Sequence, residues 1–302
     1  MFPHPKAPSD DLLSKGLVFP ETLPLTDWPG RPGLQILRGD LLNPVVSGNK
    51  LFKLRPLLQQ ATKQKASTLI SVGGRYSNHL HALSWAARAT GLASVGLVRG
   101  FPEQELTPTL ADCQRWGMQL EFLPPKDYQE RHKTEFWQTW TSRFPESFAI
   151  EEGGWSEQAI KGSSQWWQYL PSDIDCVVCA VGSGATLAGL LRAAPQGVRV
   201  VGVPVYRDPQ HYQSLVMRLM EMSIATEPLE LLVPQADRGF GKLTTEQQAF
   251  RVLFTETTGV STDPVYTSKV VHAVDQWWHE SEALRRWRTV VIHTGGLQGN
   301  RS

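Results

Sequence analysis

Cys176-Val177-Val178-Cys179-Ala180-Val181-Gly182-Ser183-Gly184-Ala185-Thr186 is an apolar run that stops abruptly at a glycine-rich turn. Six apolar residues with no polar alternation read as a strand buried on both faces, the habit of a parallel sheet. The tight loop 182–186 follows, and a helix is expected over 187–193. Within such a strand the thiols of Cys176 and Cys179 point to opposite faces, so their C-x-x-C spacing is no metal or redox pair. The glycines let backbone N–H groups approach an anion, and the helix start favours negative charge. Ser183 and Thr186 add hydroxyl donors. The loop lacks the lysine and spacing of a Walker motif, and Leu187 stands where a dinucleotide fingerprint needs its third glycine. A phosphate monoester therefore fits it better than a dinucleotide. Taken alone, the loop is also readable as an ordinary tight turn.

The same unit recurs outward from this run. Strands are expected at 34–37, 67–72, 95–98, 119–123, 148–150, 198–203 and 289–293. Helices are expected from the lysine stretch 47–55 onward, and over 77–90, 107–116, 127–142, 156–169, 209–221, 244–257 and 268–279. Residues 1–45 are proline-rich and read as irregular, apart from 34–37. Continuously apolar strands alternating with helices predict an α/β fold with mostly parallel sheets flanked by helices. Ligands of such folds bind beyond the carboxyl ends of the strands. Gly73-Gly74, Gly182-Ser183-Gly184 and Thr294-Gly295-Gly296 all follow strands.

Ser47-Gly48-Asn49-Lys50-Leu51-Phe52-Lys53-Leu54-Arg55 places two lysines three apart. Leu51, Leu54, Leu58 and Ala61 recur at helical spacing, and Pro56 fits best near the first turn. Lysines in a first turn oppose the helix dipole. One reading is a solvated basic helix start. The other is a lysine that forms a Schiff base with an aldehyde cofactor, with its neighbour facing a phosphate. Farther on, Ser77 and Asn78 are good helix caps, and the same N-terminus can bind a carboxylate. His79 and His81 are two apart, which does not put them on one helix face for a metal, and no metal ligand set is expected.

The 302 residues allow one large or two smaller domains and a sizeable core, with 41% apolar and 20% charged residues. A net charge of +1 with dispersed basic residues gives no reason to expect nucleic acid or a membrane as partner. Met1 to Leu13 carries prolines and Asp10-Asp11 without an apolar segment, so no secretory leader is expected. Three cysteines fit a reducing compartment, and a cytoplasmic location is expected. The eleven tryptophans, paired at Trp166-Trp167 and Trp277-Trp278, point to core or interface packing.

Taken together, 47–55, 73–79, 182–186, Asp263-Pro264-Val265-Tyr266 and His293-Thr294-Gly295-Gly296 resemble one family, in matching order from about Leu37 to Gly296. It is the pyridoxal-phosphate family of 1-aminocyclopropane-1-carboxylate deaminases and D-cysteine desulfhydrases, of the tryptophan synthase β-like fold. Asn49-Lys50 with Lys53, and Ser77-Asn78, are its specific parts. The resemblance implies two doubly wound sheets. A large cofactor domain would comprise 1–48 and 156–302, and a small domain 49–155. It implies pyridoxal 5′-phosphate as cofactor, Lys50 as the Schiff-base lysine and Lys53 near the phosphate. Gly182, Ser183, Gly184, Ala185 and Thr186 would form the phosphate cup, and Asn78 would lie beside the 3′-oxygen. Ser77 and His79, with Asn78, would take the substrate carboxylate. Tyr266 would be an active-site tyrosine, so Lys50, Ser77 and Tyr266 are the catalytic set. Thr294 would lie near the pyridine nitrogen. Thr267 and Thr294 offer hydroxyls there, without an acid in 293–296.

The sequence departs from the family at Tyr76, commonly glutamine, and at His81, commonly arginine. Phe240 stands for a second tyrosine of the deaminases, and Thr267 for their glutamate. The last two count against cyclopropane ring opening. The expected activity is β-elimination from a small amino acid, D-cysteine first, giving pyruvate, ammonia and sulfide, in a homodimer. Deamination of 1-aminocyclopropane-1-carboxylate or another small amino acid is the alternative. A catalytically silent pyridoxal-phosphate module, and a nucleotide binder that leaves Lys50 unexplained, are the readings of other classes.

Overall fold

A computed structural model describes residues 17–206, 208–225, 227, 229–234 and 238–301. Two sheets organise the chain. The first has six strands in the order β1-β2-β10-β7-β8-β9. These are β1 Leu25–Asp27, β2 Leu34–Leu37, β7 Cys176–Val181, β8 Arg199–Pro204, β9 Leu229–Leu231 and β10 Thr289–Ile292. All pairs are parallel except β1 with β2. The second sheet is parallel throughout, in the order β5-β4-β3-β6. Its strands are β3 Thr68–Gly73, β4 Ala93–Arg99, β5 Met118–Leu123 and β6 Ser147–Ile150.

The helices are α1 Asn49–Lys63, α2 Asn78–Thr90, α3 Pro108–Arg115, α4 Pro125–Gln129, α5 Thr134–Arg143 and α6 Glu157–Ser163. They continue as α7 Ala185–Arg192, α8 Pro209–Glu221, α9 Thr245–Thr258, α10 Thr267–Glu280 and α11 Glu282–Arg286. No helix among the described residues is long and apolar enough to cross a membrane.

The α/β reading of the sequence holds, and every strand expected from an apolar run is present. The unexpected strands, β1 and β9, are three-residue edge strands that are at most half buried. Such edges carry too little apolar pattern to be read locally. The helix expected over 127–142 is two helices with a 3-10 turn, Glu130–His132, between them. The helix expected over 156–169 passes after Ser163 into the 3-10 turn Ser164–Tyr169.

Pro56 corrects another expectation. It lies about two turns inside α1 rather than in the first turn. Proline there leaves the carbonyl four residues earlier, that of Phe52, without its usual donor. Gly162 of α6 lies against that carbonyl, and a Cβ on it would collide with Phe52 O and approach the Pro56 ring to 2.8 Å. The proline therefore marks where α1 and α6 pack backbone to backbone. Phe52 then packs on the fully buried Trp166, with ring centroids 4.2 Å apart.

The core falls on both sides of the large sheet. Cys179 packs with Val177 and Val181 on one face, while Cys176 packs with Val178 and Ala180 on the other. This is the opposite-face arrangement expected of a buried strand. A third cluster of Ile70, Val72, Val95, Leu97, Leu123 and Trp140 lies on one face of the second sheet.

Candidate active site

The strand-to-helix turns that follow β3, β7 and β10 converge on the start of α1. The cap of α1 is Gly48, with φ +60°, and a Cβ there would collide with the carbonyl of Thr294. Only glycine permits this approach. Asn49 N–H donates to that carbonyl at 3.3 Å. The Asn49 side chain donates from Nδ2 to Thr186 Oγ1 at 3.0 Å, which ties α1 to the glycine loop.

Lys50 and Lys53 are neighbours on one face of α1. Lys50 Nζ donates to Asn49 Oδ1 at 2.6 Å and lies 5.9 Å from the centre of the Tyr266 ring. Lys53 Nζ, almost fully buried, reaches Gly153 O at 3.2 Å and Ser183 Oγ at 3.4 Å. These hydrogen bonds all end on neutral oxygens. Burial pulls Lys50 down to about 8, with Asp263 opposing the shift. Burial, and then the charge of Lys50, pull Lys53 well below the ordinary lysine value. Two amines desolvated together without a carboxylate bond are stabilised by an anion.

The loop 182–186 supplies a place for that anion. Gly184 caps α7 with φ +88°, and a Cβ on it would collide with Leu215. A Cβ on Gly182 would lie 3.0 Å from the Tyr266 ring. The free N–H groups of Ala185 and Thr186 open α7, beside Ser183 and Lys53. A phosphate monoester fits this cup, and an aldehyde fits Lys50, whose amine is neutral over more of the pH range than that of an exposed lysine. The residues present therefore fit pyridoxal phosphate.

The second wall is the start of α2. Ser77 caps it, its Oγ accepting from Leu80 N–H at 3.2 Å. Asn78 is buried against Gly296, where a Cβ would come within 2.7 Å of Nδ2. His79 turns inward. Ser71 Oγ donates to Ile150 O at 2.7 Å and therefore accepts from His79 Nε2 at 3.0 Å. Burial, and then Lys50 and Lys53, lower His79 to about 3, so its ring is neutral. Its Nδ1 is buried with no hydrogen-bond partner among the described residues. In this tautomer the ring offers no donor to a carboxylate, and the main-chain N–H groups of the first turn are what α2 presents to one.

The turn 263–267 had a sequence signal, Asp before Pro, and its own side chains hold it. Asp263 is buried and accepts from Val265 N, Tyr266 N, Thr267 N and Thr267 Oγ1 at 2.9, 2.8, 2.9 and 2.6 Å. Its carboxylate is thereby engaged in holding the turn that aims Tyr266. Thr267, offered beside Thr294 for a ring nitrogen, donates its hydroxyl to Asp263 instead. Burial, then Tyr206, Asp263 and Glu152, push the Tyr266 phenol well above its ordinary value, so it keeps its proton. Beyond it stand Phe240, 6.1 Å away edge to face, and Tyr206 stacked on Phe240 at 4.9 Å. Phe240 and Tyr76 are half exposed.

The site residues named from the sequence thus fall into two groups of contacts. Lys50, Lys53, Gly182, Ser183, Gly184, Ala185, Thr186 and Tyr266 form one around α1. Ser77, Asn78 and His79 form the other at α2, and Thr294 joins the two through its turn. Sequence reading missed Asn49 as the tie to Thr186, Gly153 as the partner of Lys53, and Tyr206. Gly153 had a visible signal, since Gly153-Gly154 follows β6 as Gly73-Gly74 follows β3.

A model of the family described as pyridoxal-phosphate dependent enzyme matches residues 31–295. A putative 1-aminocyclopropane-1-carboxylate deaminase of Thermotoga maritima is 28% identical over 88% of this chain and 89% of that protein. A bifunctional D-cysteine desulfhydrase/1-aminocyclopropane-1-carboxylate deaminase of Arabidopsis thaliana is 26% identical over 91% of this chain and 76% of that protein. The crystal structure of an ACC deaminase homologue superposes with a TM-score of 0.81 at 26% identity, covering 100% of this chain and 97% of that one.

Proposed function

The chain belongs to the pyridoxal-phosphate dependent enzyme family, and on that premise we propose that it eliminates thiolate from the β-carbon of D-cysteine, giving pyruvate, ammonia and sulfide. The observation that carries the reading is the half-buried Lys50 amine, 5.9 Å from the ring centre of a protonated Tyr266 and lowered to about 8. Pyridoxal phosphate, when bound, supplies the electron sink for charge at Cα.

The chain's own residues would bind, orient and move protons. Lys53 and 182–186 would hold the phosphate, Asn78 would face the 3′-oxygen and Thr294 the ring nitrogen. The first turn of α2, with Ser77, would receive the substrate carboxylate. Lys50, with its amine free, would be the nearest base for the Cα proton. Tyr266 offers an O–H to the departing sulfur. Water then converts the released enamine to pyruvate and ammonia.

We take 49–155 as a small domain able to close over a large one formed by 1–48 and 156–302. The four strands of the second sheet all fall within the smaller span, which supports this division. We take the working unit as a homodimer, which a native mass near 33.7 kDa would exclude. The free, buried Cys113, Cys176 and Cys179 suit a reducing, cytoplasmic setting.

The test is a screen of D- and L-amino acids for pyruvate release by purified, cofactor-loaded protein. D-Cysteine should lead and should release sulfide in equal amount. Faster turnover of 1-aminocyclopropane-1-carboxylate would overturn the substrate, since Phe240 and Thr267 replace groups the deaminases carry. A yellow protein inert to every small amino acid would overturn the activity.

A further inference from the structure

The segment 297–301 crosses between Thr262 and Arg251 of α9 on one side and α2 and α3 on the other. Its 3-10 turn, Leu297–Asn300, is fixed on one side through Asn300. Asn300 Nδ2 donates to Thr262 O at 3.2 Å, and Arg251 Nη2 donates to Asn300 Oδ1 at 2.8 Å. On the other side Arg301 pairs with the buried Asp112 of α3 at 2.5 Å and lies 3.3 Å from His81 Nε2. His81 itself holds Asp112 at 2.9 Å. Between these two anchors, Gln298 Nε2 donates to Asn78 Oδ1.

His81 lies one helical turn after Asn78 on α2, so both grips act on the same face of that helix. An asparagine amide can turn over, exchanging its acceptor for its donors. In the structure Gln298 sets its donor on Oδ1, so Oδ1 faces Gln298 and Nδ2 faces away from it. Nδ2 then lies beside Gly296, in the turn that Thr294 O joins to the start of α1.

We propose that Gln298 is a positioning residue that locks the Asn78 amide with its N–H donors toward the cofactor's 3′-oxygen, and that the Asn300 and Arg301 contacts hold Gln298 in place for this. The inference rests on the proposed place of Asn78 beside that oxygen. Gln298 touches neither substrate nor cofactor. Its effect passes through Asn78 alone.

The physical signature is a titration. An N–H donor on an oxyanion favours the deprotonated state, so losing the donor moves a proton equilibrium upward in pH. The experiment uses the full chain loaded with pyridoxal phosphate and reads the pH midpoint of its visible absorbance, with the thermal midpoint measured alongside. Gln298→Ala should raise the pH midpoint by about half a unit or more. Gln298→Glu keeps the bulk but accepts where Gln298 donates, so Asn78 must turn Nδ2 outward, and the rise should be at least as large. If the alanine variant does not fold, the glutamate variant decides. An unchanged pH midpoint in a folded variant overturns the lock while leaving the proposed function intact. A wild-type protein that takes up no cofactor overturns both.

Discussion

Lys50 and Lys53 share one face of one helix, yet their surroundings give them different work. Lys50 faces Tyr266 and Asn49, whereas Lys53 ends on Gly153 O and Ser183 Oγ. Lys50→Ala should therefore abolish the borohydride-fixable visible band. Lys53→Ala should keep the band but weaken cofactor affinity, by roughly tenfold for one charged hydrogen bond. Loss of borohydride labelling in Lys53→Ala alone would reverse the assignment. The shift of Lys50 has a pH consequence of definite sign. The neutral amine attacks the aldehyde, and burial lowers its proton affinity to about 8. Cofactor uptake by stripped protein should rise about tenfold per pH unit below 8 and level off above about 9. An ordinary exposed lysine would still be rising there. Stopped-flow absorbance after mixing with pyridoxal phosphate reads this directly.

At the scale of elements, two close approaches decide the site. The first is α8 on the loop, where Gly184 takes φ +88° against Leu215. Gly184→Leu is strained in both backbone and side chain, and it closes the approach to the α7 N–H groups. It should raise the cofactor dissociation constant by about tenfold or more, measured by fluorescence titration. The second is α1 on α6, where Gly162 meets the carbonyl that Pro56 leaves without a donor. Gly162→Val must push the helices apart, and overpacking of this kind costs about 1–3 kcal/mol. Urea unfolding should show that loss. Because α1 carries both lysines, the cofactor affinity should fall with it. Pro56 was legible as helix-compatible but not as interior, because its tolerance depends on a glycine about a hundred residues away.

For the whole molecule, the contact of segment 297–301 with α2 and α3 makes stability depend on acid. Burial pushes Asp112 up, but the hydrogen bonds from His81 and Arg301 outweigh it and hold the carboxyl at about 2, against an ordinary 3.8. A carboxyl lowered on folding contributes stability that is present above the unfolded value and lost as pH falls from about 4 toward 2. The shift corresponds to about 2 kcal/mol at neutral pH. Asp112→Asn should lose about that much at pH 7 and much less near pH 2, as read by denaturant melts at the two pH values. Equal losses at both would mean that packing, and not charge, holds the segment.

The sequence by itself determined the alternation of apolar strands and helices, the parallel sheets, the cap at Ser77 and the identity of the lysine helix. These are short-range properties, since strand and helix periods and turn residues act within a few positions of each other. It also determined which glycine turns lie at strand ends, and so where a ligand belongs. Only the tertiary structure decided how the polar side chains are paired. Asn49 meets Thr186, Lys53 meets Gly153, Gln298 meets Asn78 and Arg301 meets Asp112, at separations of 137, 100, 220 and 189 residues. Nothing in a local pattern encodes such partners. The same limit hid the tautomer of His79, set by a serine on β3. Burial also decided the chemistry. A lysine is readable in a sequence, but the desolvation that makes its amine reactive exists only once α1 has docked on α2 and α6.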